Sequence, residues 1–165
     1  WGSLLFAAGY LMFYALNFGE GTMEAEYRGQ TTAAVADVQA YFNAHPIVPP
    51  SPAKLLAGAA NPAVLDAGAS RFARSCSPCH GEHAQGLIGP NLTDDRWIHG
   101  GSVEQVFQTV AKGWPSKGMP PWGRAMRPEE LAAVVSYLRS LQGTNPANPK
   151  PAEGDAFVPE PIPRS

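Results

Sequence analysis

Both cysteines of the chain lie in one short run, Cys76-Ser77-Pro78-Cys79-His80. Two thiols at this spacing can add across the two vinyl groups of a single haem, and the histidine that follows at once falls under its iron. The same residues invite two other chemistries. C-x-x-C is also the spacing of a dithiol redox pair, and two thiols with an imidazole make up part of a zinc site. Zinc would need a further Cys or His at finger-like spacing, and no such pair follows. A redox dithiol would sit between strand and helix of a βαβ unit, a pattern this chain lacks. The motif therefore predicts one covalent haem c on Cys76 and Cys79, with His80 as an axial iron ligand.

The opposite face of such an iron needs a second ligand or an open position for chemistry. A methionine thioether raises the potential and suits electron transfer. Of the four methionines, Met12 lies in an apolar run far upstream and Met23 just beyond it. Met119 sits in Lys117-Gly118-Met119-Pro120-Pro121-Trp122, where glycine before and two prolines after make a stiff irregular loop. Met126, close to Arg124 and Arg127 and just ahead of a helix start, reads as a packing residue. Met119 is the predicted second ligand. Lys112, Lys117, Arg124 and Arg127 gather positive charge near this side. Trp97, Trp114, Trp122 and Arg124 are candidate donors to haem propionates, and ordinary packing around the porphyrin is the other reading of each Trp. His83 is too close to His80 to reach the opposite face, and His99 precedes Gly100-Gly101 in a loop. Both read as surface or hydrogen-bonding residues.

Helices must position these groups. Asn61 and Pro62 are an N-cap and first-turn proline for a helix over 62–75, which leads into the motif. Ser102 with Gln105 forms a capping box, after which Val103, Val106, Phe107 and Val110 recur at helical spacing. A last helix starts at Pro128, carries Glu129 and Glu130 in its first turn, and buries Leu131, Val134, Val135 and Leu138, with Gly143 just past its end. No alternating strand pattern of useful length appears, so the fold class is all-α.

Residues 62–143 resemble a class I cytochrome c. In that family the first helix crosses the last through a small residue and an aromatic on one and an apolar residue and an aromatic on the other. Gly68 and Phe72 match the first pair, and Val134 and Tyr137 the second. Gly89-Pro90-Asn91-Leu92 resembles the family's proximal loop, which implies that Pro90 belongs to the haem pocket and fixes the axial histidine. The longer stretch Gly89–Ser102, with Gly118-Met119-Pro120 and Leu141–Pro146, is similar to the haem-c subunit III of cbb3-type cytochrome c oxidases, the CcoP/FixP family. The block from Gly89 is far more specific than C-x-x-C-H alone.

From Trp1 to Gly19 there is no charged residue, and Leu4, Leu5, Phe6, Leu11, Met12, Phe13, Leu16 and Phe18 dominate. This predicts a single transmembrane helix over 1–19. A signal peptide would show a basic leading region and a small-residue cleavage site, and neither is present. A chain that opens on Trp is expected to have residues upstream. Residues 20–61 read as a periplasmic segment. Within it, Thr31–Asn43 can form a helix with Val35, Val38 and Phe42 on one side, docking on a partner or the membrane edge. The proline-rich run from His45 to Pro52 then acts as a semi-rigid spacer. Residues 144–165 are a second proline-rich stretch, either a disordered tail or an extended strap over a neighbouring subunit. The net charge of −2 leaves no footprint for nucleic acid.

Haem attachment is expected outside the cytoplasm, so the haem domain would face the periplasm from the bacterial inner membrane. The resemblance implies a monohaem cytochrome that relays electrons from a soluble periplasmic donor to a cbb3-type haem–copper oxidase in aerobic respiration. Its partners would be the haem–copper catalytic subunit and the oxidase's monohaem c subunit. Oxygen reduction would occur in that other subunit, since this chain has no acid–base pair or open metal position of its own. Many family members carry two haem modules, whereas one C-x-x-C-H occurs here. The alternatives are an anchored cytochrome of a nitric oxide reductase or quinol-oxidising complex, opposed by the Gly89–Ser102 block, and a haem-based sensor or enzyme, against which Met119 discriminates.

Overall fold

The computed structural model describes residues 1–17 and 20–163; Phe18 and Gly19 of the expected anchor, and Arg164 and Ser165 of the expected tail, lie outside the described residues. The apolar amino end forms helix α1 (Gly2–Asn17), along which Phe6, Tyr10 and Tyr14 stack at one-turn intervals with ring centroids 6.4 and 6.0 Å apart. Its leucines and Phe6 stand exposed. A helix of 16 residues rises only about 24 Å, against a hydrocarbon core of about 30 Å. Among the described residues no helix is long and apolar enough to cross a membrane.

Helix α2 (Glu20–Ala44) is longer than the stretch expected from Thr31. Its exposed face carries local pairs such as Arg28 with Glu24, and it ends where His45-Pro46 stops helical hydrogen bonding. Of its expected apolar side, Val35 remains exposed while Phe42 is buried. What Phe42 meets is the chain's own helical domain, at Gly123, where a Cβ would stand 2.9 Å from the phenyl ring. The carboxyl-terminal end of the segment docks on its own domain, while Val35 on the same expected side stays exposed.

The spacer also does more than separate. Ser51 caps a short helix α3 (Pro52–Gly58), whose Leu55 is buried in the core. The hydroxyl of buried Ser136 donates to the Leu55 carbonyl at 2.9 Å, tying α3 to the last helix. A satisfied buried hydroxyl of this kind contributes about 1 kcal/mol.

The core is the crossing of α4 (Pro62–Ser75) with α7 (Pro128–Leu141), backed by α6 (Val103–Lys112). Asn61 caps α4 and the Ser102–Gln105 box caps α6, as the sequence predicts. Gly68 lets the helices touch: a Cβ there would collide with the Ala133 carbonyl and stand 2.7 Å from Tyr137 Cβ. The Phe72 and Tyr137 rings pack beside it at 5.6 Å. Phe72, Phe107, Leu131 and Val134 are fully buried, each worth roughly 1.5–3 kcal/mol. Arg71 and Glu130 bridge the two helices at the rim.

The carboxyl-terminal stretch is a strap, and it crosses its own domain. Strand β1 (Arg96–Trp97) pairs antiparallel with β2 (Asp155–Ala156), the one ladder among the described residues. Around it, the Gly143 amide donates to Thr93, the Phe157 amide to Asp95, and the Arg139 guanidinium to the Glu160 carbonyl. Where the sequence allows a disordered tail or a strap over a neighbouring subunit, the described residues run across their own domain.

Candidate haem-binding site

Helix α4 ends at Cys76, and a single further turn, α5 (Ser77–His80), carries Cys79 and His80. Pro78 near the start of that turn costs no hydrogen bond, because first-turn amides have no helical partner. Both thiols are free; Cys76 is half-buried and Cys79 exposed. Burial, and then the neighbouring Cys79, push the Cys76 thiol up to about 11. Unattached, it is a neutral thiol at physiological pH. That is the opposite of the depressed value that activates a redox dithiol. Among the described residues no three His, Cys, Asp or Glu side chains converge on a bare-ion site.

The imidazole is fixed from the other side. His80 Nδ1 lies 3.0 Å from the Pro90 carbonyl. A carbonyl only accepts, so Nδ1 carries the proton and Nε2 presents its lone pair. Gly89 packs flat against the ring, where a Cβ would stand 2.8–3.1 Å from three of its atoms. Burial lowers the His80 pKa, the Pro90 bond works against that shift, and the Lys150 charge adds to it. The net effect favours neutral imidazole, the form that binds iron. Lys150 comes from the strap. Its backbone amide donates to Gln85 at 2.8 Å, and its Nζ pairs with Glu153 at 2.7 Å. This fastening of the proximal loop was missed in the sequence, where only the short Asp155–Val158 patch between Gly154 and Pro159 hinted at pairing.

Met119 is half-buried and packs against the core cluster, as do Leu92, Trp97 and Trp122. Its amide donates to the Trp114 carbonyl at 3.1 Å, and the Trp114 amide returns a bond to the Met119 carbonyl at 2.8 Å. The 3-10 turns Pro115–Lys117 and Trp122–Arg124 flank it. Met126 is 5% exposed within the core, as expected of a packing residue. Trp114 stacks on His99 at 3.8 Å, His83 is exposed, and Trp122 is half-buried at the start of its turn. Trp97 is half-buried, and its Nε1 is buried with no partner in the protein, an orphan donor suited to an oxygen outside the chain. Arg124 is committed elsewhere: Nη1 pairs with Asp37 at 2.8 Å, Nη2 donates to the Asp37 carbonyl at 3.0 Å, and the guanidinium lies 4.5 Å over the Tyr41 ring.

These residues fit a covalent haem: free thiols on one turn, a histidine with its tautomer set, a half-buried thioether, an orphan indole donor, and exposed Leu87 and Ile88 beside the proximal loop.

Residues 63–138 match the family described as cytochrome c oxidase, cbb3-type, subunit III. The cbb3-type cytochrome c oxidase subunit CcoP of Rubrivivax gelatinosus is 34% identical over 145 residues, covering 86% of this chain and 47% of that protein. Subunit FixP of Sinorhizobium medicae is 40% identical over 86 residues, 47% of this chain and 30% of its own length. The chain thus spans between about a third and a half of these relatives. Cytochrome cL of the marine methylotroph Methylophaga aminisulfidivorans superposes with a TM-score of 0.46 at 29% identity, over 51% of this chain and 57% of its own, too loosely to bear on the assignment.

Proposed function

Because the chain belongs, over residues 63–138, to the cbb3-type subunit III family, we propose that it is a monohaem c-type cytochrome relaying single electrons from a soluble periplasmic donor into a cbb3-type oxidase. Haem c, when bound, supplies the one-electron iron couple. Cys76 and Cys79 would attach it, and His80 and Met119 would ligate its iron. Pro90, Trp97 and Trp122 shape the pocket. Arg124 is set at its margin, holding α2. The observation that carries this reading is the His80–Pro90 bond, which orients a neutral imidazole with Nε2 free directly after a pair of unpaired thiols. A Met119 ligand would fill the remaining axial position, which suits electron transfer and leaves oxygen chemistry to the haem–copper subunit.

The same reading places the haem domain on the periplasmic side of the bacterial inner membrane, next to the oxidase's haem–copper and monohaem c subunits. The uncharged amino-terminal segment would be the single-pass anchor. Deleting residues 1–18 should release a haem-loaded domain into the periplasmic soluble fraction. Retention on carbonate-washed membranes lacking the partner subunits would defeat the anchor. For the relay, Cys76→Ala/Cys79→Ala in the assembled complex should abolish the covalent haem band of this subunit and suppress donor-driven oxygen consumption. A small-molecule reductant acting on the catalytic subunit should still support turnover. Full donor-driven consumption with this haem absent would place electron entry elsewhere.

A further inference from the structure

We infer that the carboxyl-terminal end of α2 is a clamp on the loop that carries Met119, with Asp37 and Phe42 as positioning residues for the axial thioether. The inference rests on Met119 being that ligand. A thioether is a neutral, weak donor, so its hold on iron depends on how readily its loop opens. The loop has little structure of its own: two 3-10 turns of three residues each, and the paired amides of Trp114 and Met119. Helix α2 touches both flanks of it. On one side it packs against the turn Pro115–Lys117. On the other, Arg124 is gripped by the Asp37 carboxylate, the Asp37 carbonyl and the Tyr41 ring, and Phe42 and Ile47 close on Gly123. Met119 lies between these two grips, and swinging it outward requires both to loosen.

The contact is concentrated at one point. Phe42 is the sole buried residue described on α2, at 6% exposure, whereas the Asp37 side chain is 70% exposed. An ion pair that open adds little to global stability, so its loss should leave the fold intact. What it can set is the open fraction of a loop whose inner side packs on α6, α7 and the core while its outer flanks are held by α2.

The test uses the full haem-loaded chain and the variants Asp37→Asn and Phe42→Ala. One readout is hydrogen exchange at the Trp114 and Met119 amides. The other is the affinity of the ferric protein for free imidazole, which displaces a methionine ligand. Both scale with the open fraction. A clamp predicts that they rise by the same factor, about 3-fold for Asp37→Asn and about 10-fold or more for Phe42→Ala. Amides at Phe72 and Val134 should be unmoved. Unchanged exchange at 114 and 119 in both variants, or a rise shared equally by the α4–α7 crossing, would overturn the clamp. The ligand itself is read separately, in the unmodified protein. If its near-infrared sulfur–iron band is absent, Met119 is not the ligand and the proposed positioning role fails with it, whatever the loop amides do.

Discussion

Cys76, Cys79, His80, Gly89 and Pro90 would form the proximal side of the proposed site from one continuous stretch between positions 76 and 90, and the hydrogen bond that orients His80 spans 10 residues. The distal side is assembled differently. Met119 sits in an irregular loop whose restraint includes a bond from Arg124 to Asp37, 87 residues earlier. A ligand fixed by its own neighbours keeps its geometry wherever the local turn forms. A ligand fixed by distant segments keeps it only when those segments dock. The proximal half should therefore be the robust one, and the distal half the one that responds to changes far away in the chain.

Gly68→Val should break both halves together. Its branched side chain would enter the space held by the Ala133 carbonyl and Tyr137, and overpacking at a helix crossing costs about 1–3 kcal/mol or more. Denaturant titration of the haem-loaded protein should show the loss. A stability within 0.5 kcal/mol of the original, the range of an ordinary surface substitution, would mean the helices can part at no cost.

Met119→Leu should separate the halves. Covalent haem and His80 ligation should persist, the near-infrared band should vanish, and the potential should fall by on the order of 100 mV, a fraction of the roughly 0.8 V that axial ligands span. Met126→Leu, a volume-conserving change in the core, should keep the band and cost less than about 1.5 kcal/mol. If the two variants exchange these outcomes, the distal ligand is Met126.

Gly89→Ala tests the proximal half alone. The added methyl meets the His80 ring at 2.8–3.1 Å, so the ring must tilt or the Pro90 bond lengthen, at roughly 1–2 kcal/mol. Imidazole proton resonances of the reduced protein should move while those of Met119 stay. Movement at Met119 as large as at His80 would show the two sides to be mechanically one.

The smallest effect is expected at Glu130. The Arg127 amide, and then the nearby arginines, hold its carboxyl below the ordinary value. A depressed folded value stabilises above the unfolded carboxylate range and is lost as pH falls through the folded value. Glu130→Gln should thus slightly lower the melting temperature at neutral pH, with the gap closing in acid. A gap that widens in acid would reverse the sign of the interaction. Since this pair ties α4 to α7 at their rim, neither ligand should notice.

The local geometry around the proposed proximal site was legible because each of its devices is local. Thiol spacing, a capping Asn61, the Gly89-Pro90 pair and the Gly68/Phe72 and Val134/Tyr137 crossing are patterns that a linear reading captures. Ser51-Pro52 carried the same capping signal for α3 and was hidden among prolines that read as a spacer. Arg124 was assigned to the haem edge on charge and proximity in the chain, yet its partners are Asp37 and Tyr41, and no local pattern points to them.

By itself, the sequence determined the helices over 62–75, 103–112 and 128–141 and the family that residues 63–138 match, and it singled out Cys76, Cys79 and His80 as the candidate haem site. These follow from short-range stereochemistry, from caps and periodicity, and from a motif whose spacing is its chemistry. Only the tertiary structure decided that α2 docks on the methionine loop, that α3 joins the core, and that residues 144–163 strap their own domain. Such placements are set by which exposed backbone and apolar patches find each other across many residues of chain. Their free energies are a few kcal/mol of burial and hydrogen bonding apiece, spread over positions that no fixed spacing connects.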